Sequence, residues 1–181
     1  MVYMQTGTNE DSDPVYLFQR DAYEPTDTLS HGIGNPVRAT GLIRSSFRPS
    51  DDATIFPFLV PSNAMAVVEL RAIVKVLNAL TPSLSNSTAT SDMAPVASSL
   101  AVKATALANQ VDQAIKSAAI VKHSATGNKR VYAYEVDGFG NHLFMDDANV
   151  PSLLSLPYLG YVSAGMAAVN HKCVWNRFIR L

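Results

Sequence analysis

The sequence predicts a mainly α-helical fold with one helical hairpin and a short extended segment. Apolar residues recur at every third or fourth position over 62–80 and again over 95–123, which is the spacing of one helix face. A polar, Ser/Thr-rich stretch at 81–92 separates these two segments. Further along, 131–136 (VYAYEV) alternates and is rich in strand-forming residues, which indicates a short strand.

The chain before the first long helix is predicted to be irregular. Residues 1–49 have no sustained helical period and contain four prolines, which favour loops and turns, with short extended pieces at 15–19 and 41–45. Ser50 is a good helix cap, and the two aspartates after it suit the positive end of a helix dipole. Prolines at 57 and 61 then limit this first helix to about 51–56.

The two long helices are predicted to form an antiparallel hairpin, because a short polar loop joins them. Asp92 can cap the second helix, and Pro95 suits its first turn. The apolar lines are Met65, Val68, Ala72, Val76 and Leu80 in the first helix, and Leu100, Ala104, Leu107, Val111, Ile115 and Ala118 in the second. After the strand, two glycines in 137–140 (DGFG) predict a tight turn, and Asp147 or Asn149 could cap a short helix near 151–156.

Composition excludes several classes of function. The chain has 14 basic against 15 acidic residues and a formal charge of -1, so it lacks the basic stripe of a nucleic-acid-binding protein. No run of 18 apolar residues could span a membrane, and the N-terminus does not resemble a signal peptide, which favours an intracellular location. The four histidines have no metal-ligand spacing, and no phosphate-binding glycine loop or serine nucleophile motif is present.

Carboxylate pairs are the best candidates for chemistry. The pairs are Asp51 with Asp52, Glu135 with Asp137, and Asp146 with Asp147. The simplest structural interpretation is helix capping for the aspartate pairs and a surface position for the pair at the strand end. The first pair stands out because Arg48 and both aspartates lie between two phenylalanines, where apolar surroundings can separate carboxyl pKa values as acid–base chemistry requires. Arg48 would bind a ligand, or would pair structurally with Asp51 or Asp52.

Several blocks of the sequence resemble glycoside hydrolase family 125, the exo-α-1,6-mannosidases. The main blocks are 41–70 (GLIRSSFRPSDDATIFPFLVPSNAMAVVEL) and 131–161 (VYAYEVDGFGNHLFMDDANVPSLLSLPYLGY). Shorter blocks at 16–20 (YLFQR), 27–29 (DTL) and 32–42 (GIGNPVRATGL) precede them in the same order. The resemblance covers about 15–161, and several blocks in order are more specific than any single motif.

The resemblance implies an (α/α)6 toroid and an inverting, metal-independent enzyme without a cofactor that removes terminal mannose from α-1,6-linked glycans. It places the general acid in the RPSDD motif, at Asp51 or, as the second choice, Asp52. The other side chains that it places at the mouth of the toroid, as substrate contacts, are Arg48, Glu135, Asp137, Asp146 and Asp147.

The resemblance also implies that this chain is only part of a catalytic domain. One helical hairpin cannot build a six-hairpin toroid, and the MHESF-like motif that carries the base glutamate is absent. We therefore expect residues 1–161 to be the central part of a toroid truncated at both ends, 162–181 to be an atypical tail, and the isolated chain to be inactive. The alternatives are another (α/α)6 glycosidase, of the trehalase or glucoamylase kind, and a non-catalytic helical or sugar-binding product.

Overall fold

Over the residues that the structure describes, the fold is mainly helical and contains two small antiparallel sheets. The structure, a computed structural model, describes residues 17–18 and 21–163. Most of the predicted extended piece at 15–19, and all of the predicted tail except residues 162 and 163, lie outside the described residues. Among the described residues, no helix is long and apolar enough to cross a membrane.

Two long helices form the predicted hairpin. Helix α1 spans Val60–Ser85 and helix α2 spans Met93–Ala114, and the two pack along each other on either side of the polar loop. The second helix ends earlier than predicted, because a π-helical turn at Ile115–Ala119 leads into strand β2 at Ile120–His123. The β-branched residues at 120 and 121 are placed in the strand, where backbone pairing across to a second strand replaces helical bonds.

Over much of their length the helices bury a different face from the one that the large apolar residues predict, although the last part of the predicted line in the second helix is buried, with Val111 and Ile115 both 0% exposed. Helix α2 packs through a line of alanines, Ala94, Ala97, Ala101 and Ala108, of which none is more than 7% exposed. By contrast, Val76 in α1 is 57% exposed and Leu100 in α2 is 49% exposed. In this part of the hairpin the small side chains are buried and the neighbouring larger apolar residues are left exposed.

The predicted strand divides between two sheets. Strand β3, Lys129–Tyr132, pairs with β2, whereas β4, Glu135–Val136, lies between β1, Phe58–Leu59, and β5, His142–Leu143. The three-stranded sheet of β1, β4 and β5, called the central sheet below, is antiparallel. In it Glu135 lies opposite Leu59 on one side and Leu143 on the other. This register brings the 131–147 segment against the start of α1.

The core lies where this sheet meets the hairpin. Its largest fully buried side chains include Phe58 and Leu59 of β1, Ile115 in the π-helical turn after α2, and Tyr134 between β3 and β4. The chain before β1 wraps around this core through buried Val37 and Leu42. Its described part includes short 3-10 turns at Pro25–Asp27 and Ser30–Gly32, and another 3-10 turn, Ser124–Thr126, joins β2 to β3.

A buried carboxylate ties the hairpin to the end of the described chain. Asp112 in α2 is 8% exposed and accepts hydrogen bonds from Arg71 at 2.9 Å, Lys116 at 2.8 Å and the Tyr161 hydroxyl at 2.8 Å. Burial raises the pKa of Asp112, but the three donors outweigh it and hold the pKa below its ordinary value. The aspartate is therefore ionised at neutral pH and fixes the 161 region against both helices.

Both predicted short helices are wrong. At 51–56 the chain makes a hairpin-like reversal, in which Phe47 bridges Ala53 and the Thr54 amide donates to the Ser46 carbonyl at 3.0 Å. Around 151–156 the chain forms successive turns, and the carboxylate of Asp146 accepts the amides of residues 153 and 154. In both places the polar residues that suggested caps hold turns instead, which is the other conformation that Asp and Ser favour.

Candidate active site

A tight turn carries the two candidate acids. The Arg48 amide donates to the Asp52 carbonyl at 2.7 Å, and the Asp51 amide donates to the Arg48 carbonyl at 3.0 Å. Asp51 occupies the left-handed region with φ 69°, a conformation that Asp tolerates better than most side chains. The Asp51 side chain is exposed at the tip of the turn, whereas Asp52 is half-buried and accepts a 3.1 Å bond from the Ser50 hydroxyl.

A buried ion pair joins this turn to strand β4. The Arg48 Nε donates to Glu135 Oε1 at 2.6 Å, and the two side chains are 8% and 0% exposed. The second oxygen of Glu135 accepts the amides of Ile55 and Phe56, each at 3.0 Å. The structure thus corrects the expected structural partner of Arg48, which is Glu135 rather than either aspartate of the turn.

One nitrogen of Arg48 has no hydrogen-bond partner among the described residues. Burial lowers the pKa of Arg48, but the bond and the charge of Glu135 raise it above its ordinary value, so the guanidinium stays charged. Its Nη2 atom is buried and unpaired within the part of the chain that the structure describes. A buried donor without an acceptor is costly, by about 1–3 kcal/mol, and a ligand oxygen would recover that cost.

Tyr134 and Asp147 continue the site beyond the ion pair. The guanidinium of Arg48 lies 5.9 Å from the centre of the Tyr134 ring, and the Tyr134 hydroxyl donates to Asp147 Oδ2 at 3.3 Å. Burial raises the pKa of Asp147, but bonds from Asn149, Ser50 and Tyr134 outweigh it, and the pKa lies below its ordinary value. Burial, together with the charge of Asp147, raises the pKa of Tyr134, which therefore remains a neutral donor.

Asp137 organises the DGFG turn. It is 5% exposed and accepts from the Phe139 amide at 2.8 Å and from the amide and side chain of Asn141 at 3.0 and 2.6 Å. With these three bonds already made and little exposed surface, its placement favours holding the loop over the substrate contact that the resemblance implies.

Asp146 has a similar structural placement. Its two oxygens accept the amides of Leu153 at 2.7 Å and Leu154 at 2.9 Å. Burial raises the pKa of Asp146, and those two backbone bonds only partly oppose the rise. Like Asp137, it holds a loop beside the site. Glu135 is fully buried and all its bonds serve the protein, so its placement favours positioning Arg48 over contacting a ligand.

The structure therefore brings the two sequence blocks together around four groups. Arg48 and Asp52 share a backbone bond within the turn, Tyr134 lies between Arg48 and Asp147, and Asp51 is exposed at the tip of the turn. Sequence reasoning missed Ser50 and Tyr134, although a tyrosine inside an apolar strand is a signal, because a buried hydroxyl usually finds a polar partner. No group of three or more His, Cys, Asp or Glu residues within 17–18 and 21–163 could hold a metal ion.

The sequence and the fold match a family of sugar-cleaving enzymes. The sequence model of the metal-independent α-mannosidases, glycoside hydrolase family 125, matches residues 2–172. The chain belongs to this family, and the match continues beyond Tyr161, where the second quoted block ends.

Two similar proteins are much longer than this chain. The meiotically up-regulated gene 157 protein of Schizosaccharomyces pombe is 48% identical over 152 residues, which cover 83% of this chain and 26% of that protein. A metal-independent α-mannosidase of Streptococcus pneumoniae, solved as a non-productive complex with α-1,6-mannobiose, is 36% identical with a TM-score of 0.77. That comparison covers 88% of this chain and 35% of the bacterial one.

Proposed function

We propose that this chain supplies the acid-bearing part of a metal-independent, inverting exo-α-1,6-mannosidase that removes terminal mannose from glycans. The observation that carries the proposal is the joining of two distant blocks, at 48–52 and 134–147, by the buried bond between Arg48 and Glu135. Family membership and the mannobiose bound by the bacterial relative support the substrate class.

We further propose that α1 and α2 form one hairpin of an (α/α)6 toroid. The outer faces of both helices expose large apolar side chains, such as Ile73 at 49% and Val96 at 57%, and adjacent hairpins would cover them. The family match argues against a trehalase-like or glucoamylase-like enzyme, and a non-catalytic product remains the outcome if the completed domain cleaves nothing.

In this proposal the general acid is Asp51, with Asp52 as the alternative. Asp51 is exposed at the tip of its turn, so a glycosidic oxygen can reach it without displacing a protein contact. Inversion requires a second carboxylate about 6.5–9.5 Å from the acid, with a water molecule between them. Glu135 cannot serve as that base, because it is fully buried and both of its oxygens are occupied.

Arg48 and Asp147 are the proposed contacts to sugar hydroxyls. The unpaired Nη2 of Arg48 can donate a hydrogen bond to a hydroxyl oxygen after a small local displacement. The ionised carboxylate of Asp147 can accept a hydrogen bond from a neighbouring hydroxyl. Mannose has hydroxyls on adjacent carbons, and such a pair can accept a hydrogen bond from the Arg48 donor and donate one to the Asp147 acceptor. Glu135 supports this pair by holding the guanidinium in place.

The test uses a completed domain, in which this chain is joined to the flanking segments of its longer relatives. Asp51→Asn should lower the turnover of α-1,6-mannobiose by about 10²–10⁴-fold, because the leaving oxygen is no longer protonated. Circular dichroism should show an unchanged fold, and Glu69→Gln on the exposed side of α1 is the matched control. The assignment is wrong if Asp51→Asn retains most activity while Asp52→Asn loses it.

The isolated 181-residue chain should give no measurable turnover. It carries the proposed acid, but its one glutamate after position 69 is Glu135, which is committed to Arg48. Release of mannose from α-1,6-mannobiose, followed by chromatography, measures this directly. Cleavage by the purified chain would show that the base lies within these residues.

A further inference from the structure

The loop between the two long helices contains an asparagine that the fold does not use. Asn86 follows the last residue of α1 with φ -84° and ψ -6°, so it is not the left-handed residue that often ends a helix. Its side chain is exposed and has no hydrogen-bond partner among the described residues. No contact of the loop therefore explains why this residue is an asparagine.

The two residues after Asn86 complete a recognition sequence for N-linked glycosylation. Asn86, Ser87 and Thr88 form an Asn-x-Ser/Thr tripeptide with no proline in the middle position. No other asparagine of the sequence is followed two positions later by serine or threonine. The chain thus offers one candidate acceptor, and it lies in the hairpin loop.

The side chains that define the tripeptide are both accessible. Thr88, like Asn86, is exposed and makes no side-chain hydrogen bond within the part of the chain that the structure describes. The loop is shaped by its other residues, because the Thr90 amide donates to the Ser87 carbonyl at 3.1 Å and the Thr90 hydroxyl donates to the Leu84 carbonyl at 3.3 Å. A bulky, polar glycan requires such a surface position, and here it would displace no contact of the fold.

The hairpin also separates this loop from the candidate active site. Helix α1 begins directly after β1, which pairs with the strand that carries Glu135. The 26 residues of α1, at 1.5 Å per residue, span about 39 Å before Asn86 is reached. Residues 81–91 carry no charged side chain, and none of them is buried. A glycan on this loop would leave both the core and the site free.

We propose that Asn86 carries an N-linked glycan. In this reaction an oligosaccharyltransferase joins the Nδ2 atom of Asn86 to the anomeric carbon of an oligosaccharide that is bound to a lipid diphosphate. The new bond is between nitrogen and carbon, and the bond between that carbon and the diphosphate oxygen breaks. The lipid diphosphate leaves, and the nitrogen gives up one of its two protons.

The modification requires that the complete protein enters the secretory pathway, where the transferase and its lipid-linked donor are located. This implication differs from the intracellular location that the N-terminal sequence favours. Since this chain covers only 26% of the Schizosaccharomyces pombe relative, its first residues do not decide the location. The proposal does not rest on the mannosidase function, although an enzyme that trims glycans would meet its substrate in the same pathway.

The first test is to secrete the 181-residue chain from yeast behind a cleavable leader and to map its peptides by mass spectrometry. Peptide-N-glycosidase in heavy-oxygen water converts a glycosylated asparagine into a labelled aspartate. In the tryptic peptide 76–103 the label should appear at Asn86 and not at Asn78, an exposed asparagine of α1 that lacks the motif. Asn86→Gln and Thr88→Ala should abolish the label. Ser87→Ala and Thr88→Ser should keep it, because both preserve the motif.

Two further measurements decide whether the glycan belongs to the folded, natural protein. Glycosylated and enzymatically deglycosylated chains should give the same far-UV circular dichroism spectrum, because the loop lies outside the buried core. The same peptide, taken from the cells that naturally make the protein, should also carry the label. The proposal is overturned if the secreted chain has no glycan at Asn86, if Thr88→Ala keeps it, if the glycan changes the spectrum, or if the natural protein is unmodified there.

Discussion

Glu135→Gln tests the buried link on which the site depends. In the native protein both oxygens of Glu135 act only as acceptors, from Arg48 on one side and from the Ile55 and Phe56 amides on the other. Glutamine has nearly the same shape but only one acceptor oxygen. Whichever way its amide turns, the glutamine NH2 group, which is a donor, faces either the Arg48 guanidinium or the two backbone amides, which are donors too.

The cost follows from the burial of both partners. The Arg48 and Glu135 side chains are 8% and 0% exposed, so water cannot replace the lost acceptor. Leaving one partner of a buried pair uncompensated typically costs about 3–5 kcal/mol. Against a total stability of about 5–15 kcal/mol for a natural domain, that loss should be plain in any unfolding experiment.

Urea unfolding of the 181-residue chain, followed by circular dichroism at 222 nm, measures the change. The matched control is Glu69→Gln, an exposed glutamate of α1, which should change stability by less than about 0.5 kcal/mol. The double variant Arg48→Met with Glu135→Gln should be more stable than Glu135→Gln alone, because the glutamine oxygen can then turn to the two amides. A loss below about 1 kcal/mol in Glu135→Gln, or no recovery in the double variant, would refute the described bonding.

Three further changes test other contacts of the fold. Asp112→Asn should cost about 1–2 kcal/mol at pH 7, less than a fully buried pair because its two cationic partners are half-exposed. The folded-state pKa of Asp112 is lowered, so its contribution to the free energy of unfolding is present above the ordinary pKa of about 3.9 and is lost as the pH falls through the folded-state pKa. Over that acidic range, the stability of the variant in urea should therefore depend less on pH than that of the native chain. Gly138→Ala should cost more than Gly140→Ala in thermal unfolding, because both have positive φ but a Cβ at 138 would clash with the Arg38 carbonyl oxygen, while 140 has open space. Leu100→Lys in the isolated chain should leave the melting temperature nearly unchanged, since that side chain is 49% exposed, and a large loss would mean that the outer helix face is already covered.

Local pattern was enough to predict the helices but only part of the faces that they bury. The 3.6-residue period and the polar loop predict the hairpin of α1 and α2, which the structure confirms. Each helix, however, has both a large apolar line and a line of small residues. The choice between them depends on what packs against the helix. In the first part of α2 the alanines at 94, 97, 101 and 108 are buried while Leu100 is exposed, whereas Val111 and Ile115, later in the same predicted line, are fully buried.

The site shows the same limit at a larger separation in sequence. Arg48 and Glu135 are 87 residues apart, so no local rule could pair them, although the resemblance named both blocks. Ser50 and the aspartates after it look like a helix start, and the same residues fold as a turn because the chain pairs back on itself between Phe47 and Ala53. Capping and turn formation use the same side-chain bonds, and tertiary contacts decide which one forms.

The short central sheet determines whether the site forms at all. Strand β4 has two residues, and its register places Glu135 opposite Leu59 at the start of α1. Side chains alternate between the two faces of a strand, so a slip by one residue would turn Glu135 away from Arg48 and from the amides at 55 and 56. The acid-bearing turn would then lose its buried anchor, and Asp147, which follows β5, would lose its contact with the Tyr134 hydroxyl. The register of two residues therefore controls a site whose proposed acid lies on a turn outside the sheet.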